Sequence, residues 1–300
     1  MPKNQKQKVV AVIGPTASGK SDLGIFLARK FGGEIISADS RQVYVGMDIG
    51  TGKVTKKEQR LAKHHLLDVA SPKKVFTVSD FKKLGQKALF DIASRNRLPI
   101  IVGGTGFYID ALVHNIAVPE VSPNKKLRAE LAKQSAEQLF SRLSALDPRR
   151  AKTIDPKNKR RLIRALEIVE VTGKVPALNT KYEVLDTKYD ILWLGLKPKN
   201  LEKRIVDRVT ERLKRGAVGE VKKLIKSGVS KKRIRDLGLG YREIIRFLDK
   251  EISQEEMRRE FVKSEIKYSK RQMTWFKRKK EIHWVKSQKE AEGLVGQFII

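Results

Sequence analysis

The sequence predicts an α/β fold: a mostly parallel sheet core with helices on both faces, plus an all-α insertion domain. Three observations carry this expectation. Short apolar runs at residues 9–13, 34–38, 98–102 and 190–196 have the continuous hydrophobicity of strands covered on both sides. The first three alternate with segments of helical spacing, the pattern of βαβ units and hence of a parallel sheet. From about Val118 the texture changes: Pro119, Pro123, Pro148 and Pro156 punctuate helical periods with no strand-like run. We therefore expect a first part of the core over 1–117, a helical insertion over 118–185, and completion of the core over 186–300.

In chain order, the strand at 9–13 leads into Gly14-Pro15-Thr16-Ala17-Ser18-Gly19-Lys20-Ser21. The following segment, 21–30, sets Leu23, Phe26 and Leu27 at helical spacing, and Gly32-Gly33 marks its stop before the strand at 34–38. Phe81, Leu84, Ala88 and Ile92 form the apolar stripe of another helix, followed by a strand that ends in Gly103-Gly104-Thr105-Gly106. Within the insertion, 127–146 and 159–171 read as helices. After the returning strand, 201–226, 241–248 and 255–280 are helical in pattern, with breaks at Gly228 and at Gly238-Leu239-Gly240.

Composition narrows the function. Of 300 residues, 65 are Lys or Arg and 34 Asp or Glu, a net charge of +31, which points to a polyanionic partner. There is no cysteine, so disulfides and thiolate-bound metals are excluded; the expected compartment is cytoplasmic. The N-terminus is basic, but the apolar run at 9–13 is too short for a signal-peptide core or a membrane span, so no membrane association is expected.

Gly14 to Ser21 fits the P-loop pattern G-x-x-x-x-G-K-[ST] after a strand and before a helix, the context the motif needs. Its glycines turn backbone N–H groups toward a phosphate, Lys20 adds a point charge, and the Ser21 hydroxyl is a magnesium ligand. The pattern alone leaves open which phosphate compound is held. A nucleoside triphosphatase usually carries a second apolar strand ending in an acidic residue, yet 98–102 ends in Gly103-Gly104. Asp39 falls where the second strand ends, at the edge where α/β crevices bind ligands, and is a candidate general base; a turn carboxylate is the plain alternative.

The stretch Asp39-Ser40-Arg41-Gln42-Val43-Tyr44-Val45-Gly46-Met47-Asp48-Ile49-Gly50-Thr51-Gly52-Lys53, together with the P-loop, closely resembles the signature of the tRNA dimethylallyltransferases. The resemblance continues through His64-His65-Leu66-Leu67-Asp68, Gly103 to Tyr108, Arg161-Leu162-Ile163-Arg164-Ala165-Leu166-Glu167, Gly240-Tyr241-Arg242-Glu243 and Lys270-Arg271-Gln272-Met273-Thr274-Trp275-Phe276. It implies a P-loop prenyltransferase. Such an enzyme moves a dimethylallyl group from dimethylallyl diphosphate to the exocyclic amine of the adenosine immediately 3′ of the anticodon, with diphosphate leaving.

Carried onto this chain, the resemblance gives Asp39 and Lys20 catalytic roles. Gly14, Thr16, Ala17, Ser18, Gly19, Lys20, Ser21 and Arg208 would hold the diphosphate, with Mg2+ on Ser21. Asp39, Ser40, Arg41, Gln42, Thr105, Arg128, Arg160, Arg161, Arg164, Gly240, Tyr241 and Arg242 would meet the tRNA anticodon stem-loop. A monomer is expected. Leu237 departs from the Gln or Arg common there, Thr51-Gly52-Lys53-Val54 from the usual Thr-Ala-Lys-Pro, and Lys63 from a common proline. Arg204 and Arg208 resemble the family's basic lid over the diphosphate; ordinary surface charges four apart are the alternative.

The other distinctive residues have plainer readings. Adjacent His64 and His65 point in different directions, which argues against zinc. Trp193 and Trp275 read as core. Residues 257–280 hold ten Lys or Arg against Glu260 and Glu265, with Phe261, Ile266, Met273 and Phe276 as an inward stripe, so a basic outer face is expected. Two other functions fit part of this pattern: a P-loop small-molecule kinase, and a nucleotide-dependent RNA-binding switch.

Overall fold

The computed structural model describes residues 6–116, 118–176 and 188–300. The chain divides into two compact units, Met1–Val113 with Asp186–Ile300, and His114–Leu185.

The first unit is built on a six-stranded sheet, every pairing of which is parallel: β1 (Gln7–Ile13), β2 (Glu34–Ala38), β3 (His64–His65), β4 (Pro99–Gly103), β5 (Tyr189–Gly195) and β6 (His283–Trp284), in the order β3-β2-β4-β1-β5-β6. Parallel strands need crossovers, and the resulting helices cover both faces. Alternate side chains divide the sheet accordingly. Val9, Ala11, Ile13, Ile36, Ile101 and Trp193 pack with Phe81, Leu89 and Ile92 of α3 (Val78–Ser94) and Ile109 and Leu112 of α4 (Gly106–Val113). Val10, Val12, Ile35, Ile100, Val102 and Leu194 pack with Leu23 and Leu27 of α1 (Lys20–Lys30) and Ala291 and Val295 of α14 (Gln288–Ile299).

A third cluster packs the segment around Val43, Tyr44 and Met47 against α9 (Leu201–Lys214), α10 (Ala217–Lys226), α11 (Lys231–Leu237), α12 (Tyr241–Leu248) and α13 (Gln254–Phe276). The helix expected over 201–226 is two helices, because Gly216 adopts φ +97° and restarts the chain as the N-cap of α10. Leu239, between Gly238 and Gly240, also lies at positive φ, +39°. The short elements α2 (Lys56–Leu61), β3, α11 and β6 carried no periodicity long enough to be read.

The second unit holds α5 (Lys125–Leu131), α6 (Ala136–Leu146), α7 (Pro148–Ala151) and α8 (Lys159–Thr172) around Leu131, Leu139, Leu143, Leu162 and Leu166. The helix expected over 127–146 breaks because Ser135 and Gln138 form a capping box that starts α6 afresh.

Candidate active site

The phosphate loop runs from the end of β1 to the start of α1, and its backbone fits no other residue at two positions. At Gly14 a Cβ would come within 2.8 Å of Ser18 Oγ and 2.9 Å of the Leu196 carbonyl, and Gly19 sits at φ +91°. The hydroxyl oxygen of Ser18 is buried without a hydrogen-bond partner. One loop amide is already engaged: Thr16 N–H donates to Gln272 Oε1 at 2.8 Å, while Gln272 Nε2 donates to the Gly104 carbonyl at 2.9 Å. Gln272 therefore ties the loop to the end of β4 from the C-terminal end of α13.

Positive charge accumulates around the loop. Lys20 donates to the Pro15 carbonyl at 3.3 Å, and burial, reinforced by the neighbouring Arg208, lowers its pKa to about 8. Burial and then Arg212 bring Arg208 down to about 10. Arg204 Nε donates to the Ala17 carbonyl at 2.8 Å and Arg208 to the Gly52 carbonyl at 3.0 Å. Among the described residues, no carboxylate lies within ion-pair distance of Lys20, Arg204 or Arg208. Cations held this close at such a cost are poised for a polyanion that offsets their burial and mutual repulsion.

Asp39 follows β2. Its Oδ1 accepts from the N–H groups of Arg41 at 2.8 Å and Gln42 at 3.3 Å, so the residue closes a turn and also presents its carboxylate to the cavity. Ser40 N–H donates to the Thr105 hydroxyl at 3.1 Å. The 39–42 turn is thus tied to the start of α4. Arg41 Nε, like Ser18 Oγ, is buried with no hydrogen-bond partner.

Two spaces share Lys20, Ser21, Asp39 and Gln42 in their walls. One, a cavity of about 40 Å³, is lined by polar groups including Arg41, Arg208, Arg212, Glu265 and Tyr268. The other, a cavity of about 20 Å³, lies under the first turn of α1 against Ile35, Ser37, Val54, His64 and Val102. A larger open groove beside Val45, Asp68, Lys73 and Lys223 gathers no comparable set of reactive groups, and size alone does not make it the site. Ser21 and Asp39 bring a hydroxyl and a carboxylate oxygen to both spaces, the oxygen donors a magnesium ion takes.

Several groups on or behind the cavity wall escaped the sequence reading. Arg212 is buried, donates to the Gly50 carbonyl and pairs with Glu265 at 3.0 Å. Glu220 accepts from the N–H groups of Asp48, Ile49 and Gly50 at 2.7, 2.6 and 3.0 Å and from Tyr241 Oη at 2.8 Å, fixing the loop that carries Gly50 and Thr51 into the cavity. Phe261 and Phe276 do face inward, but between them the buried positions of α13 are Glu265, Ser269 and Gln272, while Ile266 and Met273 are only partly buried. Polar residues in an otherwise buried stripe were the available signal.

Other expected contacts take different positions. Tyr241 is 1 % exposed and belongs to the core, although it borders the cavity; a Cβ on Gly240 would strike the Phe261 ring at 2.1 Å, so that glycine is required for packing. Arg242 is exposed, whereas Leu237 is buried. In the second unit, Arg128 and Arg164 both pair at 2.7 Å with Glu167, whose side chain is fully buried. One carboxylate balances only one of the two guanidiniums, so the cluster keeps a net positive charge, and both arginine side chains are partly exposed. Arg160 and Arg161 are exposed. Along α13 and just beyond it the outward lysines and arginines are exposed except Lys279, which is buried against Asp110 at 2.9 Å with its ammonium 4.2 Å from the Trp193 ring. His65 bonds to Glu34, which also pairs with Arg95. With Asp91 these carboxylates form the one group of potential metal ligands among the described residues, and Arg95 already neutralises it.

A family model described as IPP transferase matches residues 42–279. The tRNA dimethylallyltransferase of Pelotomaculum thermopropionicum is 39 % identical over 294 residues, covering 96 % of this chain and 94 % of the relative. That of Caldanaerobacter subterraneus subsp. tengcongensis is 40 % identical over 286 residues, covering 92 % and 91 %. The full-length tRNA isopentenylpyrophosphate transferase of Bacillus halodurans superposes with a TM-score of 0.72 at 35 % identity, covering 98 % of this chain and 97 % of its own. A eukaryotic dimethylallyltransferase captured acting on tRNA gives 0.76 at 31 % identity, covering 90 % and 69 %. The likeness runs through both the sheet core and the segments that wall its cavity, and the chain belongs to the IPP transferase family, with the tRNA dimethylallyltransferases.

Proposed function

We propose that this protein transfers a dimethylallyl group from dimethylallyl diphosphate to the N6 amine of the adenosine immediately 3′ of the anticodon of tRNA. The observation that carries the reading is the meeting of Lys20, Ser21 and Arg208 with Asp39 on one cavity. The bond from the allylic C1 to diphosphate oxygen breaks, its electron pair leaves with the diphosphate, and the amine lone pair forms the new C1–N6 bond. Loop N–H groups, Lys20 and Arg208 stabilise the charge that builds on the leaving group. A magnesium ion held by Ser21 would supply further Lewis-acid stabilisation there.

Asp39 takes the proton released by N6. Its Oδ1 is occupied by the Arg41 and Gln42 N–H groups, which leaves Oδ2 to accept. An adenine amine is a weak nucleophile, so alignment with C1 in a space screened from water supplies much of the acceleration. To arrive there the base must leave its stack in the anticodon loop, and the 39–42 turn with Thr105 would hold it. Exposed Arg160, Arg161 and Arg242 and the basic outer face of α13 would bind phosphates.

β4 ends in Gly103-Gly104 without the acidic residue a kinase or nucleotide switch would use, which weighs against those readings. The test is Asp39→Ala. Single-turnover transfer should fall by about 10²–10⁴-fold while tRNA affinity in a filter assay is retained. Full activity in the variant would remove Asp39 as the base.

A further inference from the structure

An amine held beside Asp39 can attack a carbon held by the phosphate loop only if the two segments keep one separation. Three strands launch them in a single row, with Ile13 of β1 and Ala38 of β2 both in register with Gly103 of β4. Beyond that row the β1–β4 pairing ends, and a side chain takes over. Gln272 Oε1 accepts from the Thr16 N–H at 2.8 Å, and Gln272 Nε2 donates to the Gly104 carbonyl at 2.9 Å. The Thr16 N–H can only donate and the Gly104 carbonyl only accept, so the amide has one orientation. It acts as one more rung of the ladder.

The rung reaches Asp39 through its neighbour. Thr105 N–H donates to the Ala38 carbonyl at 3.2 Å, and the Thr105 hydroxyl accepts from Ser40 N–H, so residues on both sides of Asp39 are bonded to Thr105. Gln272 thus joins the segment that carries the base to the loop that cradles phosphate. Its seat is closely fitted: the residue is 5 % exposed, and a Cβ on Gly104 would lie 2.1 Å from Nε2. The helix that bears it is pinned to α4 as well. Trp275 Nε1 donates to Asp110 Oδ2 at 2.7 Å, and the Trp275 ring fills the space a Cβ on Gly106 would need.

We propose that Gln272 is a positioning residue for the transfer, its amide setting the separation between the leaving diphosphate and the carboxylate that receives the N6 proton. It acts through Thr16 and Gly104 rather than on the reacting atoms. In-line displacement is sensitive to such a spacing, since a misplacement of about 1 Å costs about 10²-fold in rate. The inference rests on the prenyl-transfer reading above and leaves its chemistry unchanged.

Single-turnover transfer from saturating dimethylallyl diphosphate to an anticodon stem-loop reads the effect. Gln272→Met keeps the bulk and removes both hydrogen bonds; its rate should fall by about 10²-fold, while the dissociation constants of donor and RNA stay within about threefold of wild type. Gln272→Glu is the sharper variant. Ionised, its carboxylate accepts from Thr16 but repels the Gly104 carbonyl; protonated, it donates to that carbonyl and restores both bonds. Its rate divided by that of wild type should therefore rise at least about fivefold from pH 8 to pH 5, whereas the same ratio for the Met variant stays flat. Lys20, Asp39, Arg41, Arg212, Glu265 and Tyr268 share the cavity with residue 272, titrate in both proteins and cancel from the ratio. A Met variant as fast as wild type, a loss carried by donor affinity alone, or a flat Glu ratio overturns the proposal. Should the Met variant not fold, the Glu ratio decides. Absence of dimethylallyl transfer by wild type would instead refute the underlying reading.

Discussion

Replacing Lys20 with methionine should stabilise the protein without its substrates while destroying its hold on diphosphate. The ammonium sits with Arg208 and Arg212 nearby, and burial first, then Arg208, takes its pKa from 10.5 to about 8. At about 1.4 kcal/mol per tenfold, this corresponds to about 3 kcal/mol of native-state penalty, an upper figure because side chains relax and water enters. The sign follows from proton linkage. Below pH 8 Lys20 is charged in both states and the full penalty applies. Between pH 8 and 10.5 the native form gives up its proton first, so this group's contribution to stability improves as pH rises. Methionine keeps the aliphatic stem and drops the charge. Urea unfolding followed by circular dichroism should show Lys20→Met more stable than wild type at pH 7, by up to about 3 kcal/mol, with the gap closing toward pH 10. Millimolar diphosphate should raise the wild-type melting temperature and leave the variant's unmoved. A variant less stable than wild type at pH 7 would refute the reasoning, since the cost of the buried charge would then be absent.

Two further outcomes follow from buried carboxylates. Glu220→Gln leaves one acceptor oxygen where three loop N–H groups and the Tyr241 hydroxyl now find two, and should lower unfolding stability by about 3 kcal/mol while raising the donor KM as the 48–50 loop loosens; chemical denaturation and steady-state kinetics check this, and a loss under about 1 kcal/mol contradicts it. In the second unit, burial works against the charge of Glu167, but hydrogen bonds from Arg128 and Arg164 outweigh it and lower its pKa below 4.5, so its stabilising contribution is lost as pH falls through that lowered value. Arg128→Ala should therefore lower the melting temperature, whereas the double change Arg160→Ala, Arg161→Ala should leave it and instead flatten the dependence of log tRNA affinity on log salt by roughly 0.7–0.9 per lost phosphate contact. Equal melting temperatures in the two variants would sink this division of roles.

What the sequence disclosed follows from what is periodic or local. The strands β1, β2, β4 and β5 were legible because each is a buried apolar run, and the phosphate loop because its chemistry is contiguous from Gly14 to Ser21. Asp39 was legible by its place at a strand end. Groups that reach or brace the site from α9, α10 and α13 were not: Arg212, Glu265 and Gln272, and Glu220 behind the 48–50 loop, come from over 100 residues beyond β4 and are brought in by the packing of the helical cluster around Tyr44 and Phe261. The anchoring of Arg128 and Arg164 was hidden for a related reason. Their charges are visible in sequence, but the buried Glu167 that claims both is visible only once α5 lies on α8. Gly216 carried a readable warning, since a glycine inside a helical pattern costs about 1 kcal/mol relative to alanine and often marks an end.

Mass spectrometry of nucleosides tests the central claim most directly. An unmodified tRNA whose anticodon ends in A and is followed by A would be incubated with the protein, magnesium and dimethylallyl diphosphate. The account predicts a dimethylallyl mass gain on that adenosine alone, dependent on the donor, together with released diphosphate. An unmodified adenosine under those conditions, with ATP turned over instead, would contradict it.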